Sequence, residues 1–441
     1  MAEIMMPVRA KDHGASSSSR GPRSTEAAGP RTRAREAARA SVIGGLVNRL
    51  AAALAFAMAA CAADEPRRDE FRVVIDTVDG VEYVRAFGAP RVFAVEPGVR
   101  IGSAGGAGDP GPDEFGMVRS VVADAGGAIY VADVQANEIR VFGADGVHLR
   151  TIGRSGDGPG EFNALYALAW VGDTLAAFDP RNGRIGFLSP AGDWLGSTLY
   201  LPLTGDPMTV RFHAASVDEA YIIGYLRRED GSRMIFNRVT GSGIADTLVP
   251  PPLTGFGPSP VIVWPHPDGG ISFFTTPFAP RHLTTPAPGG VLATSWSADY
   301  RVAFVTEAGD TIRVLKRDYR PYPVTDEEWE AGTADYRRFR EEMPGVRCEP
   351  SGPSRPDAKP AIRHLFFDAE GRLWVERYAA DGFAYDVFDR DGRLLGTVDV
   401  PDRDERFPPY ARSGWLYQVE TDEFGIQHVA SYGVVGLDVG G

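Results

Sequence analysis

Cysteine is nearly absent from the 441-residue chain: Cys61 and Cys348 are the only two. Two cysteines so far apart give no disulfide framework and no cluster with metal-ligand spacing. Cys348, with no histidine beside it, reads as an incidental thiol. Lysine is scarce as well. Lys11, Lys316 and Lys359 stand against 43 arginines, which fits the codon bias of a GC-rich genome. There is no G-x-S-x-G elbow, no P-loop and no H-E-x-x-H, which removes the best-marked hydrolase, nucleotide and zinc-protease signals. Gly102 to Gly106 is glycine-rich but leads into a turn and not a helix, so it is no phosphate cradle. Basic charge is also missing where nucleic acid would need it. The net charge is −13; residues 1–60 carry nine basic and four acidic groups, so the remainder is near −18. An acidic body lacks the footprint that phosphate contacts require.

What the chain has in quantity is turn chemistry. Its 52 glycines and 34 prolines are spread along the sequence, as many short strands joined by tight turns demand. The stretch from Gly111 to Phe162 shows the pattern most clearly. It opens with Gly111-Pro112-Asp113-Glu114-Phe115 and closes with Gly158-Pro159-Gly160-Glu161-Phe162. Between them lie four apolar runs: 118–124, 129–133, 138–142 and 147–152, divided by Gly126-Gly127, Asn137 and Asp145-Gly146. Four short strands in about 45 residues is the size of one β-propeller blade.

The rest reads as imperfect copies. Glu114-Phe115 returns at Glu161-Phe162 and Asp133 at Asp179, offsets of 47 and 46. A second unit covers 167–196. A weaker third covers 210–248. A fourth has strands expected at 261–264, 270–274, 300–304 and 311–315. An insertion from about 318 to 360 follows. Its Thr325-Asp326-Glu327-Glu328 is a capping box and predicts one helix with Trp329, Tyr336, Phe339 and Met343 on a stripe. That helix either covers a channel mouth or packs outside. The fifth unit runs from 362 to 396 and a partial sixth from 414 to 429. The chain from 71 to 101, with its Asp79-Gly80 hairpin turn, supplies the strands the sixth lacks. The expected fold is all-β: a six-bladed propeller of four-stranded antiparallel blades over 71–441, closed by pairing of the two chain ends, with seven blades as the alternative count. Closure removes the exposed edges of an open array.

The residues Arg154-Ser155-Gly156-Asp157-Gly158-Pro159-Gly160-Glu161-Phe162, with Ile129-Tyr130-Val131-Ala132-Asp133 and Arg140-Val141-Phe142, resemble the NHL-repeat family. The match is good over 111–188 and fainter elsewhere. The resemblance implies a six-bladed ring with a central channel. With the N-terminal signal described next, the chain also resembles six-bladed propeller lipoproteins of GC-rich bacteria.

Residues 1–40 read as a disordered basic extension, 41–60 as a signal peptide and 61–70 as a tether. The apolar core from Leu50 to Ala57 is too short to span a bilayer. Met58-Ala59-Ala60-Cys61 resembles a lipobox, with Met where Leu is usual, so Cys61 is the expected lipidation site. Ala57-Met58-Ala59 also fits ordinary cleavage to a soluble periplasmic or secreted protein. The expected address is the bacterial cell envelope, outside the cytoplasm.

Most of the motif reads as architecture. Asp133 and Asp179 end strands, where a carboxylate accepts the N–H groups of a turn. The candidate ligand contacts are Arg119 at the start of an inner strand, Arg154 and Arg181 in connecting loops, and His213 and His364 early in the inner strands of blades three and five. His364 aligns with Ser120; His266 and His148 are out of register. Two histidines fall short of the three protein ligands of a catalytic zinc site. The expectation is a monomeric binding module for an envelope protein, peptide or carbohydrate, tethered to the membrane by its lipid, with no nucleic acid, no catalytic residue and no cofactor. The alternative is a zinc- or calcium-dependent lyase or lactonase with its site in the channel.

Overall fold

A computed structural model describes residues 70–437, apart from 106–110, 201–209, 229–230, 252–260, 266–269, 343–351 and 381. The basic extension, the signal peptide, Cys61, all but the last tether residue, His266, Met343 and Cys348 lie outside the described residues.

The chain forms six blades around an axis. Blade one is the meander Val118–Ala123, Ile129–Asp133, Glu138–Phe142 and His148–Ile152. Blades two, three and five repeat it over 167–199, 212–248 and 364–399. Burial explains the local sequence. Every residue of Ile129–Asp133 is buried, because a middle strand has another blade against each face, and it reads as a continuous apolar run. The outermost strand of blade two, Trp194–Leu199, alternates because one face meets solvent. Large side chains fill the wedges between blades. Tyr130 meets Trp170 edge-on, ring centroids 5.1 Å apart, between blades one and two. Trp374, Phe366 and Tyr385 do the same between blades five and six. Each such burial stabilises the ring by roughly 1.5–3 kcal/mol.

Blade six closes the ring. Tyr410–Arg412, Trp415–Thr421 and Gln427–Val434 come from the C-terminal end, and Val95–Ile101 pairs with the last of them. The expectation that 71–101 completes this blade needs one correction. The hairpin Arg72–Val78 and Val81–Phe87 does not join it. Its second strand runs parallel to Thr311–Arg317 on the outside of blade four, where Val84 and Ala86 are buried.

Blade four brings the second correction. Its inner strands are His282–Ala287 and Val291–Trp296. The segments expected there form a separate hairpin, Val261–Pro265 with Ile271–Thr275. Pro286 hid the true strand. The innermost strand is a sheet edge, where a missing N–H is tolerated. The third correction concerns the insertion, which holds two helices instead of one: α1 (Asp326–Gly332) and α2 (Ala334–Glu342). The capping box forms as expected, Glu328 N–H donating to Thr325 Oγ1 at 3.2 Å and Thr325 N–H to Glu328 Oε2 at 3.0 Å. The first helix is capped at Thr333, whose hydroxyl and N–H both donate to the Trp329 carbonyl, at 2.7 and 3.1 Å. Tyr336 and Phe339 pack edge-on against Trp264 of the separate hairpin.

The inter-blade turns show why the Gly-Pro-Gly-Glu-Phe motif repeats. Phe162 is buried beneath Gly153, where a Cβ would fall 2.5 Å from its ring and φ is +86°. Arg184 holds the turn by donating to the Gly158 and Glu161 carbonyls at 2.7 and 2.8 Å. Arg140 does the same for Glu114 at 2.6 Å. Asp133 accepts from the N–H groups of Gly116, Met117 and Gln135, and Asp179 from Asn163, Ala164 and Asn182. These residues serve architecture, as the sequence suggests.

Candidate functional site

Inner strands of a propeller all start at the same face, here called the mouth. At the opposite face the channel is bridged. Val217 N–H donates to the Ala369 carbonyl at 2.7 Å, while the Val217 carbonyl accepts from Gly172 at 2.8 Å. Val217 follows the inner strand of blade three and Ala369 that of blade five. These blades are not neighbours, so the bridge crosses the axis. The expected channel is therefore a pocket with a floor. About 100 Å³ of it admits the centre of a water-sized group.

Arg119, His213 and His364 all line this pocket, together with Arg211, Tyr166 and Thr285. Residues from blades one, three, four and five thus converge. Arg154 and Arg181 are not brought in. The Arg154 side chain is 79% exposed and pairs with Glu161 at 2.7 Å, whose other oxygen accepts the Gly158 N–H. It clips a turn. Arg181 is exposed in the turn between strands two and three of blade two. No residue of α1 or α2 lines the pocket, so the helices pack on their hairpin and do not form its wall.

The electrostatics are cationic at the mouth and neutral deeper in. Arg211 makes no hydrogen bond or ion pair through its side chain among the described residues. Burial, then the charges of Arg403 and Arg281, lower its pKa. Arg119 lies over the Tyr166 ring, 5.3 Å from its centroid. Arg281 donates to the Arg363 carbonyl at 3.0 Å and meets no carboxylate among the described residues. The nearby acid is spent. Glu376 pairs across the strands with His364, but Arg403 engages both of its oxygens at 2.9 and 3.1 Å, and Tyr385 donates to it at 2.9 Å.

His213 Nδ1 sits 3.3 Å from Thr285 Oγ1. His213 Nε2 and His364 Nδ1 are buried with no protein partner among the described residues. Burial first, then Arg211, pushes His213 down to about 3. Burial, then Arg403 and Arg211, holds His364 well below its ordinary value. Both imidazoles are neutral at physiological pH. Among the described residues no three His, Cys, Asp or Glu side chains are grouped to hold a metal ion. The two histidines that do meet are ringed by guanidinium groups, a field that opposes a cation.

This arrangement carries a pH expectation. The ordinary value of 6.5 lies above that of both folded histidines, so below pH 6.5, and for His213 down to about 3, the unfolded chain binds protons that the folded chain refuses. Stability from these groups is complete above 6.5 and lost as pH falls through that window. Urea midpoints should drop from pH 7 to pH 5. A His213→Gln/His364→Gln double variant should show a shallower drop; an unchanged slope would remove the histidines as its source.

Sequence reasoning missed Arg211, Arg281 and Arg403. A signal existed. Arg119 and Arg363 occupy the same repeat position, beside Ser120 and His364, and Arg281 precedes His282 at the start of blade four. Arginine at the head of the inner strand recurs in blades one, three, four and five, and that recurrence marks the mouth.

No family model matches the sequence, and no curated protein matches it. The NHL resemblance therefore rests on its motif residues. Solved structures do resemble the chain. One is a protein of Bacteroides fragilis described as exported, with 11% identity, 77% of this chain and 95% of that one covered, and a TM-score of 0.36. Another is the calcium-binding protein regucalcin of Agrobacterium tumefaciens, with 14% identity, coverage of 79% and 97%, and a TM-score of 0.32. A third is virginiamycin B lyase of Staphylococcus aureus, with 13% identity, coverage of 78% and 89%, and a TM-score of 0.28. These likenesses carry nothing about activity.

Proposed function

We propose that this chain is a monomeric binding propeller of the bacterial cell envelope, tethered through a lipid on Cys61. Its mouth pocket takes an anionic group of an envelope protein, peptide or carbohydrate. The observation that carries the reading is Arg211, a half-buried guanidinium on the pocket wall with no acidic partner among the described residues. It lies within the field of two further arginines. Like charges gathered in a recess destabilise one another, and an incoming carboxylate relieves that repulsion while accepting charge-assisted hydrogen bonds. The signal and lipobox motivate the address.

The test is thermal unfolding of the mature chain with added citrate, succinate or inorganic phosphate. A ligand at 100 times its Kd stabilises the folded form by about 2.7 kcal/mol. An anion should raise the Tm of the native chain and of Arg154→Gln, and leave Arg211→Gln unmoved. Equal shifts in all three would mean a nonspecific salt effect and end the proposal.

A further inference from the structure

We propose that the ligand of this pocket is an acidic sugar: a single uronate ring at the end of an acidic polysaccharide. This rests on the anion-binding reading above and adds the chemistry of the pocket's deeper half.

The pocket has two levels with different demands. At the mouth, Arg211 offers charge. Below them His213 and His364 offer neutral imidazoles, each with a buried ring nitrogen that no protein group satisfies among the described residues. A neutral imidazole presents one N–H donor and one acceptor nitrogen. Such nitrogens cost free energy when buried without a partner. Their natural complement is a hydroxyl, which both donates and accepts. Acetate or succinate would satisfy Arg211 and leave both imidazoles unpaired. A neutral sugar would satisfy the imidazoles and leave Arg211 without its anion. A carboxylate on a carbon skeleton rich in hydroxyls meets both levels at once.

The walls and floor fit the same ligand. Tyr166 lies under Arg119 at the mouth, and Phe366 stacks beside His364 at 6.0 Å with planes 28° apart. Both line the pocket. The small volume and the Val217–Ala369 bridge stop a chain from threading through. A polysaccharide can enter only by its end, one residue deep.

Titration calorimetry on the mature chain tests this with five probes: glucuronate, galacturonate, glucose, succinate and the tripeptide Ala-Ala-Ala. One uronate should bind at least about tenfold tighter than succinate, glucose or the tripeptide, the effect of one buried polar group gaining its partner. His364→Ala should reduce the uronate to the affinity of succinate and leave succinate unchanged. Arg211→Gln should abolish both. If His364→Ala does not fold, His213→Gln serves in its place, and the ranking by the native chain decides alone. Comparison of the monosaccharide with a reduced oligogalacturonate separates a free sugar acid from a polysaccharide end. Tighter oligomer binding supports the end, and monosaccharide binding without oligomer binding overturns it. Succinate or the tripeptide binding as tightly as the tighter uronate, with loss in Arg211→Gln, overturns the sugar and keeps the anion pocket. No binding of any carboxylate overturns both.

Discussion

Replacing Asp386 by alanine will lower the unfolding free energy by about 3–5 kcal/mol, the usual effect of removing one partner from a buried ion pair. Asp386 lies fully buried on the third strand of blade five. Tyr300 of blade four donates its hydroxyl to Oδ2 at 2.5 Å, Thr397 donates to Oδ1 at 2.8 Å, and Arg377 lies at 3.1 Å. Arg317, the last residue of blade four's outer strand, also pairs with it. One carboxylate thus joins blade four to blade five at the mouth, beside the start of the helical insertion. Its removal strands two arginines in a dry site with no anion. Burial and then the Asp386 charge already drive the Tyr300 hydroxyl far above its ordinary value, so that hydroxyl stays protonated and cannot compensate. Urea denaturation of Asp386→Ala and Asp386→Asn measures the effect. A loss below about 1 kcal/mol for alanine would show that the arginines find other partners, against the buried-pair expectation. Asparagine, which keeps the shape and one acceptor, should lose less.

Removal of the N-terminal strand of blade six should be the most damaging truncation. A chain beginning at residue 90 loses only the hairpin on blade four, whereas one beginning at residue 103 also loses Val95–Ile101. That segment is the fourth strand of blade six, and Ile101 packs with Val429, Phe142 and Val118 in the core between blades six and one. Without it Gln427–Val434 becomes an open edge of eight residues, a template for pairing with another chain. The shorter chain should lose cooperative unfolding in urea and aggregate, while the chain from residue 90 should unfold in one transition with a lowered midpoint. Equal, cooperative midpoints for both would refute the closing role of Val95–Ile101. Adding a peptide of residues 90–103 to the shorter chain should restore part of the transition.

The ring was legible because its information is local. Strand periodicity, the Gly-Pro-Gly-Glu-Phe turn and the strand-ending Asp133 and Asp179 each depend on a few neighbouring residues. The sequence hides the inner strand of blade four because Pro286 is allowed on an edge strand that only the ring creates, while the continuous apolar run Val261–Trp264 looks more strand-like than the true blade. The single helical stripe does not reveal the break at Thr333, where one carbonyl, that of Trp329, accepts both the N–H and the hydroxyl of the cap residue.

The site divided along the same line. From the sequence alone came the six-bladed all-β ring, the turn chemistry of its joints and three of the pocket's side chains, Arg119, His213 and His364. Only the tertiary structure decided that these three meet, that Arg154 is spent on Glu161, and that Glu376 is held by arginines. It also decided that a bridge between blades three and five turns a channel into a pocket. The reason is physical. A turn or a strand is written in adjacent residues. The field at His364 is the sum over Arg403, Arg211, His213 and Arg281, drawn from blades three and four and the link between blades five and six, which no local pattern records.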